Sequence, residues 1–216
     1  DVDDSPGCEL IVGTQLNEKV TKTVSIYSFA GSQAQKIKSM IYVKFLVCDL
    51  DENGRSELLI IQNGDGEYRN GVARLYAYED GNVTRSVEAW LSVAPEYIRR
   101  ITANRLSGGE AAVYVAGAAA DNSIITDILA LRDGVFTNVA QSSEFGHAMG
   151  LMNNHTVYAE DLDGDGILEL PALLSMMYNT TQQNLIRWFS VDIDGNETNK
   201  LYTFHNFDDG WYIQLE

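Results

Sequence analysis

An acidic phrase recurs along this chain, and the spacing of its copies restricts the fold more than any other feature. The phrase reads DVDDSPGCELIVG from Asp1, DLDENGRSELLII from Asp49 and DLDGDGILELPALL from Asp161, and a degenerate copy, ANRLSGGEAAVYVAG, begins at Ala103. The starts lie roughly fifty residues apart, a period that indicates a repeat architecture. We therefore expect one unit to be repeated, each copy built around an acidic loop.

The remainder of each unit predicts antiparallel strands. An apolar strand follows the loop at 57–61, 110–116 and 168–174, and the next strand ends in a Gly-containing turn, as in VARLYAYEDGNV, TDILALRDGVF and IRWFSVDIDGNE. Asp-Gly between runs rich in β-branched and aromatic residues is a strong hairpin signal. The best helical candidate, SQAQKIKSMIYVKF, soon runs into β-favouring residues and is interpreted as a strand with a loop. The fold-class prediction is all-β.

The strand count predicts a single β-propeller domain over 1–216, built from about four blades of four antiparallel strands each. Its units are approximately 1–40, 41–96, 97–154 and 155–216. The first unit lacks the strand that should precede its loop, while an extra strand, 211–215, remains at the C-terminus. That strand could complete the first blade and close the ring, which would remove exposed sheet edges. The alternative is a larger ring with earlier blades upstream of Asp1.

The composition indicates a folded and strongly acidic protein. Hydrophobic residues make up 45% of the chain, and 31 acidic against 15 basic residues give a net charge of -16. Such a surface would be repelled by a nucleic-acid backbone, so nucleic-acid binding is disfavoured. The chain has no apolar run of the length needed to cross a bilayer, so no transmembrane segment is predicted, and we expect a monomer.

Alternate acidic positions followed by glycine allow a short loop to curl around one cation. Oxygens at the first, third and fifth positions converge, a carbonyl at the seventh joins them, and the ninth closes the cage. Calcium takes six to eight hard oxygen ligands, whereas magnesium usually keeps several waters, so calcium is the predicted cofactor. An EF-hand would need Glu at the twelfth position, which is Ile60 or Ala172 here. The alternative is a turn with solvated carboxylates.

The pattern D-x-D-x-D-G-x-x-[DE]-L, followed by an apolar strand, resembles the FG-GAP and VCBS-type calcium loops of β-propellers in integrin-like ectodomains and bacterial surface proteins. The layout, including TDILALRDG and FHNFDDGWYIQLE, is also similar to uncharacterised Firmicute lipoproteins with VCBS-like repeats. This resemblance covers essentially the whole chain. It implies a propeller, bound calcium and an extracellular, cell-surface-anchored location, with a lipoprotein signal expected upstream.

The resemblance carries metal ligands onto three loops. In the last loop they are Asp161, Asp163, Asp165 and Glu169 by side chain and Ile167 by its carbonyl. In the second they are Asp49, Asp51, Asn53 and Glu57 by side chain and Arg55 by its carbonyl. The first loop matches less well, with Asp1, Asp3, Ser5, Gly7 and Glu9 at the right offsets but Pro6 in place of the loop glycine. The degenerate copy offers only Asn104 and Glu110, so no metal is predicted there.

Other reactive side chains show no catalytic pattern. His147, His155 and His205 have no metal-ligand spacing, and no G-x-S-x-G sequence is present, so no catalytic residue is assigned. Cys8 and Cys48 belong to no C-x-x-C pair and are expected to be small buried hydrophobes, with a disulfide between them left open.

Two functions are compatible with these features. The first is a non-catalytic, calcium-binding propeller that acts as an extracellular binding or adhesion module of a bacterial surface lipoprotein, with an unidentified glycan or protein as its partner. The second is a glycan-active hydrolase with its site at the central channel. The polar loops at 62–70 and 177–184 are the candidate ligand surface, because loops on a rigid scaffold commonly carry binding.

Overall fold

The computed structural model describes residues 2, 8–15, 21–30, 32–64, 70–80, 82–119, 123–141, 149, 157–178, 181–206 and 210–215. Within these ranges the regular structure consists of fifteen β-strands and one short 3-10 helix, Pro95–Tyr97, so the all-β prediction is confirmed. No helix in this part of the chain is long and apolar enough to cross a bilayer.

The strands form four antiparallel sheets in which each strand pairs with the next along the chain. The first contains β1 (Leu10–Thr14), β2 (Thr23–Ala30) and β3 (Gln33–Ile41). The second contains β4 (Lys44–Cys48), β5 (Glu57–Asn63), β6 (Gly71–Glu79) and β7 (Asn82–Trp90). The third contains β8 (Ile98–Arg105), β9 (Ala111–Ala118), β10 (Ile124–Arg132) and β11 (Val135–Gln141). The fourth contains β12 (Leu170–Tyr178), β13 (Thr181–Val191), β14 (Glu197–Asn206) and β15 (Gly210–Leu215).

The chain divides into two compact units, Asp1–Glu96 with Leu131–Thr137, and Tyr97–Ala130 with Asn138–Glu216. In the first unit, Val24 and Ile26 of β2 pack with Leu58 and Ile60 of β5. In the second unit, the core joins the third and fourth sheets, with members that include Tyr114, Ile128, Leu170 and Phe189. Each unit therefore buries apolar side chains between consecutive sheets, which is how sheets acquire a core.

The strand β5 shows why the sequences after the acidic loops do not alternate between apolar and polar residues. Its four consecutive residues Leu58, Leu59, Ile60 and Ile61 are all fully buried. Successive side chains of a strand point to opposite faces, so both faces of β5 are covered. A strand covered on both faces reads as a continuous apolar run.

The predicted Asp-Gly hairpins are present where the structure describes them. At Asp133 and Gly134, between β10 and β11, both φ angles are positive, at 51° and 78°. Two positive φ values define the type I′ turn, whose twist matches that of the strands it joins.

The prediction that the C-terminal strand completes the first blade is wrong. β15 pairs with β14 in the fourth sheet, with Asn206 opposite Gly210, and the first sheet has three strands. Three residues separate β14 from β15, so this pairing closes a short loop, whereas reaching β1 would close almost the whole chain at a larger entropic cost. The propeller arrangement of the sheets in one domain stays a prediction.

Candidate metal centre

The loop 161–169 is closed at its base by a pair of backbone hydrogen bonds. The N–H of Glu160 donates to the carbonyl of Glu169 at 3.1 Å, and the N–H of Glu169 donates back at 2.9 Å. The sequence also favours a strand over 156–159, but residues 157–159 form no strand, so the bridge between Glu160 and Glu169 is the pairing described at the base of this loop. The two ends of the loop are thereby held next to each other.

The first aspartate organises the inside of this loop. The Asp161 carboxylate accepts the N–H of Gly164 at 2.7 Å and the N–H of Gly166 at 3.0 Å. Both glycines have positive φ, 81° and 87°, a conformation that side chains with Cβ rarely adopt. The backbone therefore wraps around one carboxylate, as the spacing of the motif predicts.

The loop 49–57 has left-handed residues at the same two positions as the last loop. Its fourth and sixth residues, Glu52 and Gly54, have φ of 55° and 88°, at the positions that glycines occupy in the last loop. The Asp49 carboxylate accepts the N–H of Asn53 at 3.1 Å and the N–H of Gly54 at 2.9 Å. Two loops that are far apart in the sequence thus share two left-handed positions and a first aspartate that accepts backbone N–H groups of the loop.

The ninth-place glutamate makes the same hydrogen bond in all three copies of the phrase. The N–H of the second residue donates to Oε2 of the ninth, at 2.9 Å for Val2 and Glu9, 2.7 Å for Leu50 and Glu57, and 2.8 Å for Leu162 and Glu169. One carboxylate oxygen therefore closes the loop. The other, Oε1, is the oxygen that can face an ion.

Three carboxylates converge in each of the two complete loops. One oxygen each from Asp161, Asp163 and Glu169 lies within 4.8 Å of the others, and Asp49, Asp51 and Glu57 form an equivalent group. Two oxygens that share one calcium ion at about 2.3–2.6 Å can be at most about 5 Å apart. The spacing and the chemistry of these oxygens are therefore compatible with one shared calcium ion.

The other predicted ligands take different positions. Asp165 lies outside the converging group, and its Oδ1 accepts the N–H of Ile167 at 2.8 Å. The amide oxygen of Asn53 accepts the N–H of Arg55 at 2.8 Å in the same way. The carbonyls of Ile167 and Arg55 stay predicted ligands. Of the predicted ligands in the first loop, only Glu9 is described, since Asp1, Asp3, Ser5 and Gly7 lie outside the described residues.

Burial makes the ninth-place carboxylates electrostatically costly. Burial raises the pKa of Glu169 above its ordinary value, while hydrogen bonds from the Leu162 N–H and the Ser190 hydroxyl oppose the shift. Burial likewise raises the pKa of Glu57. The exposed fractions of these residues are 0% and 1%. An ionised carboxylate removed from water needs a positive partner to offset its lost hydration.

The two loops differ in whether the buried glutamate has a positive partner. In the second loop, Nη2 of Arg85 lies 2.6 Å from Oδ2 of Asp51 and 3.0 Å from Oε1 of Glu57. In the last loop, Oε1 of Glu169 instead accepts the neutral hydroxyl of Ser190 at 3.1 Å. Among the residues that the structure describes, no lysine or arginine forms an ion pair with a carboxylate of the last loop.

Sequence reasoning missed Arg85 and Ser190. Both lie on strands, β7 and β13, and reach the loops because of strand register rather than proximity along the chain. Arg85 stands opposite Ala77 in the β6–β7 ladder, which places its side chain beside the loop that precedes β5. A lone arginine in an edge strand gives no signal of this contact.

The degenerate copy has a different interior. The Arg105 N–H donates to the Asn104 side chain at 2.6 Å, and the Arg105 guanidinium donates to the carbonyl of Gly109 across the turn. The N–H of Leu106 bonds the carbonyl of Glu110. The predicted lack of a metal at this copy stays a prediction.

The cysteines are both free thiols in very different environments. Cys48 is buried, as expected, whereas Cys8 is exposed, so the prediction of two buried cysteines is wrong for Cys8. Burial raises the pKa of the Cys48 thiol to about 12, and the neighbouring Glu57 and Asp49 add to the shift.

Of the three histidines, His147 and His155 lie outside the described residues, and His205 belongs to β14.

The candidate ligand surface is only partly defined. Residues 65–69 of the polar loop 62–70 and residues 179–180 of the polar loop 177–184 lie outside the described part of the chain.

Comparison of the chain with protein-family models, curated proteins and solved structures gives no match. The function is therefore inferred from the geometry of the acidic loops.

Proposed function

We propose that this chain is a non-catalytic, calcium-binding β-propeller that serves as an extracellular binding or adhesion module of a bacterial surface lipoprotein. The observation that carries the calcium proposal is the convergence of Asp161, Asp163 and Glu169 within 4.8 Å around a loop without a basic partner in the described residues. Calcium, when bound, would supply the positive charge that this group of carboxylates needs. The propeller proposal is supported by consecutive antiparallel sheets of up to four strands.

The proposed roles of the residues follow from their contacts. Asp161 holds the Gly164 and Gly166 amides and so shapes the loop while presenting its carboxylate to the ion. Glu169 closes the loop through Oε2 and offers Oε1. Asp163 has no structural bond inside the loop apart from the one to the Asp165 N–H at 3.2 Å, so it serves the ion most directly.

Calorimetric titration with calcium tests the metal proposal. We expect saturable binding that Asp163→Asn abolishes or weakens strongly at the last loop. Glu160→Gln is the matched control, because Glu160 is an exposed carboxylate next to the loop that contributes no predicted ligand. Equal loss in both variants would show that only overall charge matters, and wild-type protein that binds no calcium would overturn the proposal.

The binding role needs a separate experiment. A glycan array combined with a hydrolysis assay on any glycan that binds separates the module from the hydrolase. Binding without turnover supports the adhesion module, and turnover establishes the hydrolase instead. No observation in the described residues specifically favours the hydrolase.

A further inference from the structure

We propose that Arg85 is an internal counter-cation that competes with calcium at the loop 49–57, so that the two acidic loops fill at different calcium concentrations. This inference rests on the calcium-binding function proposed above. It assigns to Arg85 the role of a residue that sets which loop responds to calcium.

The guanidinium of Arg85 bonds the oxygens that an ion would need. Its Nη2 lies 2.6 Å from Asp51 Oδ2 and 3.0 Å from Glu57 Oε1, and both residues belong to the converging group of this loop. Oε2 of Glu57 is already engaged by the Leu50 N–H, so Oε1 is the only oxygen of this carboxylate left for a cation. Calcium and the guanidinium therefore need the same oxygen, and their charges repel each other at this distance.

The ion pair lies in a sheltered place, where such pairs are stronger than on the surface. The side chains of Arg85, Asp51 and Glu57 are 28%, 22% and 2% exposed. They line one cavity of about 140 Å³ together with Tyr78 and Thr84. Solvent screening is reduced in such a place, so displacing Arg85 reduces the affinity for an incoming ion.

The pairing is nevertheless incomplete. Asp51 Oδ1 and Arg85 Nε are buried and make no hydrogen bond with the part of the protein that the structure describes. An incoming cation would gain the unused Asp51 oxygen, and a released guanidinium would regain water. We therefore expect calcium to compete with Arg85 for this loop, and not to be excluded from it permanently.

Among the described residues, no such competitor meets the last loop. The group that meets Glu169 Oε1 is the Ser190 hydroxyl, which is neutral and can turn away without leaving a charge behind. This loop also has Asp165 where the second has Asn53, so it has one more carboxylate at the predicted ligand positions. The loop 161–169 is therefore the one expected to fill first.

Calcium titration of four proteins tests the inference: wild type, Arg85→Met, Asp163→Asn and the double variant. Asp163→Asn removes the last loop as a calcium site, and the first loop is identical in Asp163→Asn and the double variant. The difference between these two proteins therefore reports the effect of Arg85 on the second loop. We expect calcium affinity in the double variant to exceed that in Asp163→Asn by at least about tenfold, equivalent to about 1.4 kcal/mol. Arg85→Lys keeps a cation of different reach, so its affinity in the Asp163→Asn background should fall between the two.

A thermal melt gives an independent reading. Removing Arg85 leaves Glu57 buried without a cation, so Arg85→Met should melt lower than wild type in chelator and recover in calcium. If this variant does not fold even in calcium, the Arg85→Lys comparison decides instead, because it preserves the charge.

The outcomes separate this inference from the proposed function. Equal affinities in Asp163→Asn and the double variant, with tight binding retained in wild type, overturn the role of Arg85 alone. Binding that appears only when Arg85 is replaced supports the role of Arg85 and contradicts calcium binding at the last loop. If none of the proteins binds calcium, both are wrong.

Discussion

At the scale of single residues, Glu169 shows how one side chain can both shape an acidic loop and charge it. Its Oε2 accepts the Leu162 N–H across the loop, and the residue is fully buried. Glutamate is one methylene longer than aspartate, which lets it reach back to the second residue of the loop. The same bond occurs at Glu9 and Glu57, so the glutamate at the ninth place closes the loop in each of these three copies.

Asp163→Asn should separate calcium binding from loop structure. The change removes one of the crowded negative charges, so the calcium-free variant is expected to melt at or above the temperature of calcium-free wild type. The part of the calcium stabilisation that comes from the last loop should disappear, a loss of about 2.7 kcal/mol when calcium is a hundredfold above the dissociation constant of that loop. Thermal melts in chelator and in calcium measure both effects.

Asp3→Ala in the first loop should reduce calcium binding less than Asp163→Ala in the last loop. The reason is that the first loop has Ser5 and Pro6 where the last has Asp165 and Gly166. A larger calcium-dependent loss for Asp3→Ala than for Asp163→Ala would contradict this ranking of the loops.

Cys8 and Cys48 should differ sharply in thiol chemistry. The thiolate is the reactive form, and Cys48 is buried with a pKa of about 12, whereas Cys8 is exposed. We expect a thiol-disulfide reagent at neutral pH to label one thiol in the native protein and both after denaturation. Cys8→Ser should abolish the native reaction, and fast labelling of both thiols without denaturant would contradict the buried position of Cys48.

At the scale of elements, the acidic loops are held by backbone conformation as much as by charge. The fourth and sixth residues are left-handed in both complete loops, and three of those four positions are glycine. The exception is Glu52, which adopts a φ of 55° despite its side chain. Left-handed conformations cost non-glycine residues roughly 1–2 kcal/mol, so the loop 49–57 carries strain that the loop 161–169 does not.

Gly164→Ala should therefore destabilise the protein although there is room for the new methyl group. No atom lies within 4 Å of the position that a Cβ would occupy at Gly164, so the expected cost of about 1 kcal/mol comes from the backbone alone. Glu52→Gly at the equivalent place should cost much less or stabilise. Chemical denaturation of both variants measures the difference, and equal losses would contradict the strain account.

The hairpin of β14 and β15 allows the corrected topology to be tested by a cross-link. Thr203 and Ile213 are paired across this ladder, and directly opposed residues in antiparallel strands lie close enough for a disulfide. With Cys8 and Cys48 replaced, Thr203→Cys combined with Ile213→Cys should oxidise to a monomeric disulfide. Val12→Cys with Ile213→Cys is the control for pairing with β1, and efficient bond formation there would restore the closure hypothesis.

At the scale of the whole molecule, one buried thiol and two buried tyrosine hydroxyls make the free energy of unfolding depend on pH in the alkaline range. Burial raises the pKa values of Cys48, Tyr78 and Tyr114 in the folded state. Raised pKa values mean that the folded protein keeps protons that the unfolded chain releases. Their stabilising contribution is complete below the unfolded pKa values and is lost as pH rises towards the folded ones.

Stability should accordingly fall as pH rises above about 9, where an unfolded cysteine begins to ionise, and fall faster above about 10, where unfolded tyrosines follow. Each such group contributes up to about 1.4 kcal/mol per pH unit within its window. Denaturation curves between neutral and alkaline pH give the slope. Cys48→Ala should remove the first part of the decline, and a stability that stays flat up to pH 11 would contradict the burial of these groups.

The sequence by itself determined the all-β class, the positions of most strands and the two complete acidic loops, because these depend on local patterns. Alternate aspartates and glycines encode the loop, Asp-Gly encodes the hairpins, and a continuous apolar run encodes a strand covered on both faces. The tertiary structure alone decided what lies beside each loop. Arg85 and Ser190 reach the ninth-place carboxylates through strand register. β15 joined β14 because a short loop costs less entropy to close than a long one.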